Sequence, residues 1–267
     1  MKTFETKPSG YALVYALSLI VSISLTILYV VGQADLEFMR IFSNIVFAPV
    51  AFAPVVVAFE TSRRYGWEFR SKLGRVWSMF LTGLFLWFLG ELVWAIYVLA
   101  FKIDIPYPSV ADVFYLLGYL PLFCGFVMYL MQFRPALSLK TARLGLFIAT
   151  VVIILTIAFL YRPIVNSSRD PVTISLDLLY TTLDLIILIF SVQIFVFTLS
   201  YSSLLGGGLW KALLFLVIGA ILNAGADILF SYLELLGVYY EGHPSELLYL
   251  WSYVAFCLAF YVHGKEL

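Results

Sequence analysis

Two stretches of this chain carry residue types that can do chemistry. "PYPSVADVFYLLGY" runs from Pro106 to Tyr119, and "HPSELLYLWSY" runs from His243 to Tyr253. Each reads Pro-Ser, then an acid (Asp112, Glu246), then a pair of tyrosines four apart (Tyr115 and Tyr119; Tyr249 and Tyr253). Residues at i, i+3 and i+4 of a helix are neighbours on one face, so acid, tyrosine and tyrosine form a stripe in each stretch. Two more acids, Glu91 and Asp227, each stand about sixteen residues into a long apolar run, with Trp94 one turn after Glu91. Asp184 lies in another such run, with Asp177 seven residues before it, and Glu234 follows Asp227 by seven. Carboxylates gathered at one depth attract a cation, a protonated amine or a divalent metal, and aromatic faces assist an organic cation. Acid removes the charge that attracts such a ligand, so binding is expected to weaken at low pH.

Plainer roles compete with that chemistry. "SVAD" at Ser109–Asp112 is a capping box, and Ser245 is placed to cap the last helix with Glu246 in its first turn. Trp and Tyr gather in belts at both membrane interfaces. Glu91 and Asp227 sit at no helix end; their alternatives are an ion pair with Arg40 or Arg162, or a protonated state bonded to backbone carbonyls. A metal held by the carboxylates with His243 is a further alternative.

The elements that must position these residues follow from composition. The chain is 63% hydrophobic and 12% charged, with a mean hydropathy of +1.01, whereas soluble domains run near 45–50% apolar and about 25% charged. This reads as an all-α integral membrane protein. Eight apolar runs are long enough to cross about 30 Å of hydrocarbon: 11–32, 41–61, 76–101, 111–132, 144–162, 173–200, 211–237 and 246–262. The first is longer than a signal-peptide core and lacks a small-residue cleavage site, so it counts as a span. Pro49 and Pro54 are expected to kink the second.

Twelve basic residues fall at one set of span ends: Lys2, Lys7, Arg63, Arg64, Arg70, Lys72, Arg75, Arg134, Lys140, Arg143, Lys211 and Lys265. Four fall at the other: Arg40, Lys102, Arg162 and Arg169. The positive-inside bias then puts both termini in the cytoplasm, in the cytoplasmic membrane, and turns "KIDIPYPS" outward. The final "HGKEL" is too short for a catalytic module, so output is expected from the bundle or from a partner docked on it. Net charge is zero, which gives no basis for nucleic-acid binding.

An internal repeat is legible. Setting "RVWSMFLTGLFLWFLGELVWAIY" against "KALLFLVIGAILNAGADILFSYL" places Arg75 on Lys211, Gly83 on Gly219, Glu91 on Asp227 and Trp94 on Phe230. The same offset places Pro108-Ser109 on Pro244-Ser245; after a two-residue gap Asp112 falls on Glu246, Tyr115 on Tyr249 and Tyr119 on Tyr253. Four spans separate the copies, so two similarly oriented four-helix halves are expected, 1–143 and 144–267, with a pseudo-twofold axis along the membrane normal. Glu91 and Asp227 should then face each other across that axis.

"GELVWAIYVLAFKIDIPYPSVADVFYLLGYLP" resembles the membrane-embedded, sensor-like domains that precede diguanylate cyclase or histidine kinase modules in prokaryotic signalling proteins. Gly90, Glu91, Trp94, Pro106, Pro108, Ser109, Ala111, Asp112, Tyr115 and Leu116 carry the resemblance. It implies a prokaryotic sensing role and assigns no catalytic residue. No output module is expected to follow here, and the second copy has His243 where the first has an aromatic-Pro lead.

Other chemistries lack their motifs. The two cysteines, Cys124 and Cys257, sit in apolar runs with no CxxC. There is no HExxH, no G-x-S-x-G and no phosphate loop; "LLGGGLW" lacks the Lys-Ser/Thr such a loop needs. His243 and His263 lie on opposite sides and cannot jointly hold a haem. A ligand sensor working with a separate signalling partner is therefore the leading expectation. A small-solute or ion transporter is second and an intramembrane enzyme third. No cofactor is expected beyond a divalent cation in the acidic pocket. The expected ligand-binding residues are Glu91, Asp112, Asp184, Asp227, Glu246, Trp94, Tyr115, Tyr119, Tyr249 and Tyr253.

Overall fold

The computed structural model describes residues 11–64, 71–133, 139–205 and 208–265. Lys2, Lys7, Arg70 and Arg134 of the basic end, and Gly206 and Gly207 of "LLGGGLW", lie outside them. The described residues are helices joined by turns and short loops, with no strand, and eight helices are long and apolar enough to cross a membrane. They are α1 (Tyr11–Gly32), α2 (Leu36–Arg64), α3 (Lys72–Ala95), α4 (Val110–Phe133), α5 (Leu139–Thr156), α6 (Pro171–Leu205), α7 (Leu209–Leu235) and α8 (Leu247–Lys265).

Several ends differ from those expected. α2 extends beyond the apolar run on both sides, because Glu37 suits its first turn and Arg63 and Arg64 its last. Pro49 and Pro54 lie inside α2 without ending it. α3 passes into a π turn at Ile96–Ala100, closed by the Phe101 amide on the Ile96 carbonyl at 3.1 Å. α5 does the same at Ile157–Tyr161 before a last turn, Arg162–Val165.

Burial is inverted relative to a soluble bundle. The outer surface carries Leu, Ile, Val and Phe, with Leu13, Leu19 and Val31 of α1 more than 60% exposed. Polar groups lie within: Asn44, Asp112, Asp177, Asp184, Asn223 and Glu246 are all buried. A helix that is apolar on its outward face as well needs an apolar medium.

α3 packs most extensively on α4, and α7 on α8; α2 lies against α3 and α8, and α6 against α7 and α4. Close approach within the two hairpins depends on glycine. A Cβ on Gly83 would stand 2.4 Å from Leu122 Cγ, and one on Gly219 would stand 2.8 Å from the Phe256 ring. Leu122 and Phe256 are themselves aligned residues of the two copies. Such close contact supplies dispersion energy between the helices of each hairpin.

At the basic end the bundle is closed by rings. Trp77 packs edge-on to Phe260 at 5.0 Å and to Tyr129 at 6.2 Å, and lies against His263 at 4.0 Å. Phe80 meets Phe126 at 5.1 Å. All of these side chains are almost wholly buried. The opposite end is open.

Candidate functional site

α3 and α7 each present one acid inward, Glu91 and Asp227, and α4 and α8 present the tyrosine stripes beside them. The hydroxyl of Tyr253 donates to Glu91 Oε1 at 2.9 Å, and Tyr115 reaches the same carboxylate. The hydroxyl of Tyr249 donates to Asp227 Oδ1 at 2.6 Å. The hydroxyl of Tyr119 lies 2.6 Å from Asp184 Oδ1 and 3.1 Å from Asp227 Oδ2. Each buried acid is thus met by a tyrosine from the other hairpin: Tyr253 of α8 reaches Glu91 of α3, and Tyr119 of α4 reaches Asp227 of α7. Trp94 and Phe230, also aligned positions, meet edge-on at 6.5 Å.

These groups surround a cavity of about 130 Å³. Glu91, Trp94, Asp112, Tyr115, Tyr119, Asp227, Glu246, Tyr249 and Tyr253, all expected at the site, line it. Asp184 does not. Its carboxylate accepts from the hydroxyl of Tyr119, which does line the cavity. The lining contains five carboxylates, counting Glu241, and no lysine or arginine. Above it lies a wider vestibule of about 780 Å³, which shares Trp94, Tyr107, Phe230, Ser231, Tyr239 and Glu241 with the cavity and adds Arg40, Asp104, Arg169, Asp177 and Glu234.

Asp112 keeps its helix-starting role and adds another. Its Oδ2 accepts from the Ser109 amide at 2.6 Å and hydroxyl at 3.0 Å, while Oδ1 accepts from Tyr180 at 2.8 Å. Ser245 does not cap the last helix. Pro244 opens a 3-10 turn, Pro244–Glu246, one step earlier, and His243 is its N-cap, with Nδ1 accepting from the Ser245 amide at 3.1 Å. Glu246 is turned inward instead. It accepts from Tyr29 at 2.8 Å, from Tyr239 at 2.8 Å and from the Gly242 amide at 2.7 Å. Gly242 holds a φ of +85° with Met39 against it, where a Cβ would stand 2.7 Å from the Met39 Cβ. Only glycine fits both constraints.

Neither arginine pairs with the buried acids Glu91 and Asp227. Arg40 bonds Asp104 at 2.7 Å and Glu241 at 3.0 Å, tying α2 to the loops that join α3 to α4 and α7 to α8. Arg169, not Arg162, pairs with Asp177, at 2.8 Å. Burial pushes the Glu241 carboxyl up, against the downward pull of Arg40.

No family model, curated protein or solved structure matches this chain. The site must be read from its own chemistry. Among the described residues no three His, Cys, Asp or Glu side chains converge as metal ligands. His243, an expected alternative ligand, lines neither space and bonds Ser245.

Sequence reasoning missed Tyr29, Tyr180, Asn44, Trp87 and Asn223. Asn44 and Asn223 had a signal, since each is an amide inside an apolar run, and Asn223 lies one turn before Asp227. Tyr29 and Tyr180 had none, because a tyrosine in a span reads equally well as lipid-facing.

Proposed function

We propose that this chain is a multi-pass protein of the cytoplasmic membrane, built as two similarly oriented halves, 1–143 and 144–267. In this reading it senses a small cationic ligand in its outward-facing cavity and passes the occupancy to a separate signalling partner. The observation that carries this reading is the crossed bonding: Tyr253 to Glu91 at 2.9 Å and Tyr119 to Asp227 at 3.1 Å. A cation that takes a carboxylate competes with a hydroxyl of the opposite hairpin, so occupancy alters how the hairpins hold each other. A ligand shifts an equilibrium only through such differential contacts.

Orientation follows the basic residues. Arg63, Arg64, Lys72, Arg75, Lys140, Arg143, Lys211 and Lys265 mark the end closed by Trp77 and Phe260, which is cytoplasmic by the positive-inside rule. A closed inner end supports binding over conduction. A transporter is the second reading, favoured by Pro49 and Pro54 in α2, where each removes a backbone hydrogen bond from a helix lying between α3 and α8.

The test is thermal stability of the purified full chain against a panel of amines and divalent metals. An amine should raise the midpoint in the wild type but not in Glu91→Gln or Asp227→Asn. No shift from any amine, or an equal shift in both variants, ends the cation-binding reading. Flux of the bound amine into proteoliposomes that is lost in Glu91→Gln would select the transporter. A reporter fused after Leu267 should be cytoplasmic and one near Asp104 external; an external C-terminus sinks the topology.

A further inference from the structure

We infer that the ligand is a small organic ammonium that also carries a neutral hydrogen-bonding group, the ammonium lying at Glu91 and Asp227 and the second group on the carboxamide of Asn223. This rests on the cation-binding reading above and names its ligand class. Asn223 lines the cavity and is only 5% exposed, yet its side chain makes no hydrogen bond to any described residue. A buried amide without partners is costly, and the carboxylates around it are already bonded to tyrosine hydroxyls. Ser231 and Trp94 also line the cavity without a side-chain hydrogen bond to a described residue, but of the three only Asn223 is buried, and it is the one left for something else to satisfy.

The second hairpin alone carries this feature. The aligned position in the first is Trp87, whose Nε1 donates to the Tyr115 carbonyl at 3.2 Å. The cavity therefore has an aromatic side at Trp87 and an amide side at Asn223. Asn223 precedes Asp227 by one turn, so the two side chains leave α7 roughly 5–6 Å apart on one face. An ammonium at the carboxylates then places a group four carbons away beside the amide. That group is neutral, since five carboxylates and no lysine or arginine line the cavity and would repel an anion. A bare metal ion is disfavoured because no three ligating side chains converge among the described residues. A cavity of about 130 Å³ is close to the roughly 150 Å³ that holds benzene in an engineered protein, which sets the ligand near six heavy atoms.

Intrinsic fluorescence gives the readout, because Trp87 and Trp94 line the cavity. The purified full chain is titrated with 4-aminobutan-1-ol, with pentan-1-amine (the same chain with methyl for hydroxyl), with pentane-1,5-diol and with Mg²⁺. The amino alcohol should bind about tenfold more tightly than the alkylamine, the ordinary worth of one buried hydrogen bond. Asn223→Leu should abolish that ratio while leaving the alkylamine's affinity in place; Asn223→Ala serves if the leucine variant does not fold. Equal affinities of the two amines in the wild type overturn this inference and leave the cation reading standing. An unchanged ratio in the folded variant overturns it too. Tighter binding of Mg²⁺ than of either amine overturns the organic class. Binding of the diol alone overturns both readings.

Discussion

The hairpins α3–α4 and α7–α8 align in sequence with one two-residue gap, yet the aligned acids at the start of α4 and α8 do different jobs. Asp112, itself buried, starts its own helix through Ser109 and spares one oxygen for Tyr180. Glu246 starts nothing. It sinks inward and gathers Tyr29 of α1, Tyr239 of the loop and the Gly242 amide. The two-residue gap in the alignment is the cause. Shortening the turn replaces the Ser-x-x-Asp spacing with Ser-Glu, so the acid can no longer reach back to its own helix start and points to the interior. Aligned residues inherit a depth and a face, while the loop before them decides their partners.

The largest test of that contrast is Glu246→Ala against Asp112→Ala. Removing Glu246 strands two hydroxyls and an amide in a buried setting, at about 1–3 kcal/mol for each unsatisfied group. The midpoint of thermal unfolding should fall by more than about 10 °C, or folded protein should not be recovered. Asp112→Ala loses a cap worth about 1 kcal/mol and the partner of Tyr180, a fall of a few degrees. Equal losses would show that both acids act as simple helix starters.

The fold was legible because hydropathy and span length are read directly from the chain, and all eight helices lie where apolar runs stand. The depth of Glu91 and Asp227 was legible for the same reason, since position along a helix sets depth. Partners were not legible. Asp184 reads as a cavity acid by depth, but it holds the Tyr119 hydroxyl and does not line the cavity, and that contact depends on how α4 meets α6. Ser245 reads as a cap by type, but Pro244 starts the turn earlier and gives that role to His243. The ion pairs expected for Glu91 and Asp227 with Arg40 or Arg162 did not form either: Arg40 is held by the loop acids Asp104 and Glu241, and Arg162 pairs with neither acid.

A smaller difference separates the two glycine contacts. An alanine at position 83 would meet Leu122 Cγ at 2.4 Å and the Gly118 carbonyl oxygen at 3.0 Å; at position 219 the three nearest atoms all belong to the Phe256 ring, the first at 2.8 Å. Backbone yields less readily than a ring. Gly83→Ala should therefore cost about 1–3 kcal/mol and Gly219→Ala less, in unfolding measured side by side. Adding Leu122→Ala to Gly83→Ala should recover part of the loss. A larger loss at Gly219 would show that the second hairpin is the more tightly packed.

The smallest effect concerns pH. His243 and Tyr107 are aligned, but Tyr107 donates its hydroxyl to Asp177 at 2.7 Å, whereas His243 uses Nδ1 as an acceptor for the Ser245 amide. The rings of Tyr239 and Tyr240 pack on His243 at 6.2 and 5.0 Å. Burial lowers the pKa of the imidazole from its ordinary 6.5. The folded state then binds fewer protons than the unfolded chain in the window just below 6.5, so stability falls as pH drops through that window and is level above it. Protonation also removes the acceptor that caps the 3-10 turn. His243→Asn keeps a capping acceptor and does not titrate. Its unfolding midpoint should track the wild type above pH 7, and the wild type should fall below it on acidification toward pH 5, by about a degree or two. A gap that stays constant from pH 5 to 7.5 would place the acid sensitivity elsewhere, and would make the outer turns of the two hairpins equivalent in this respect despite their different partners.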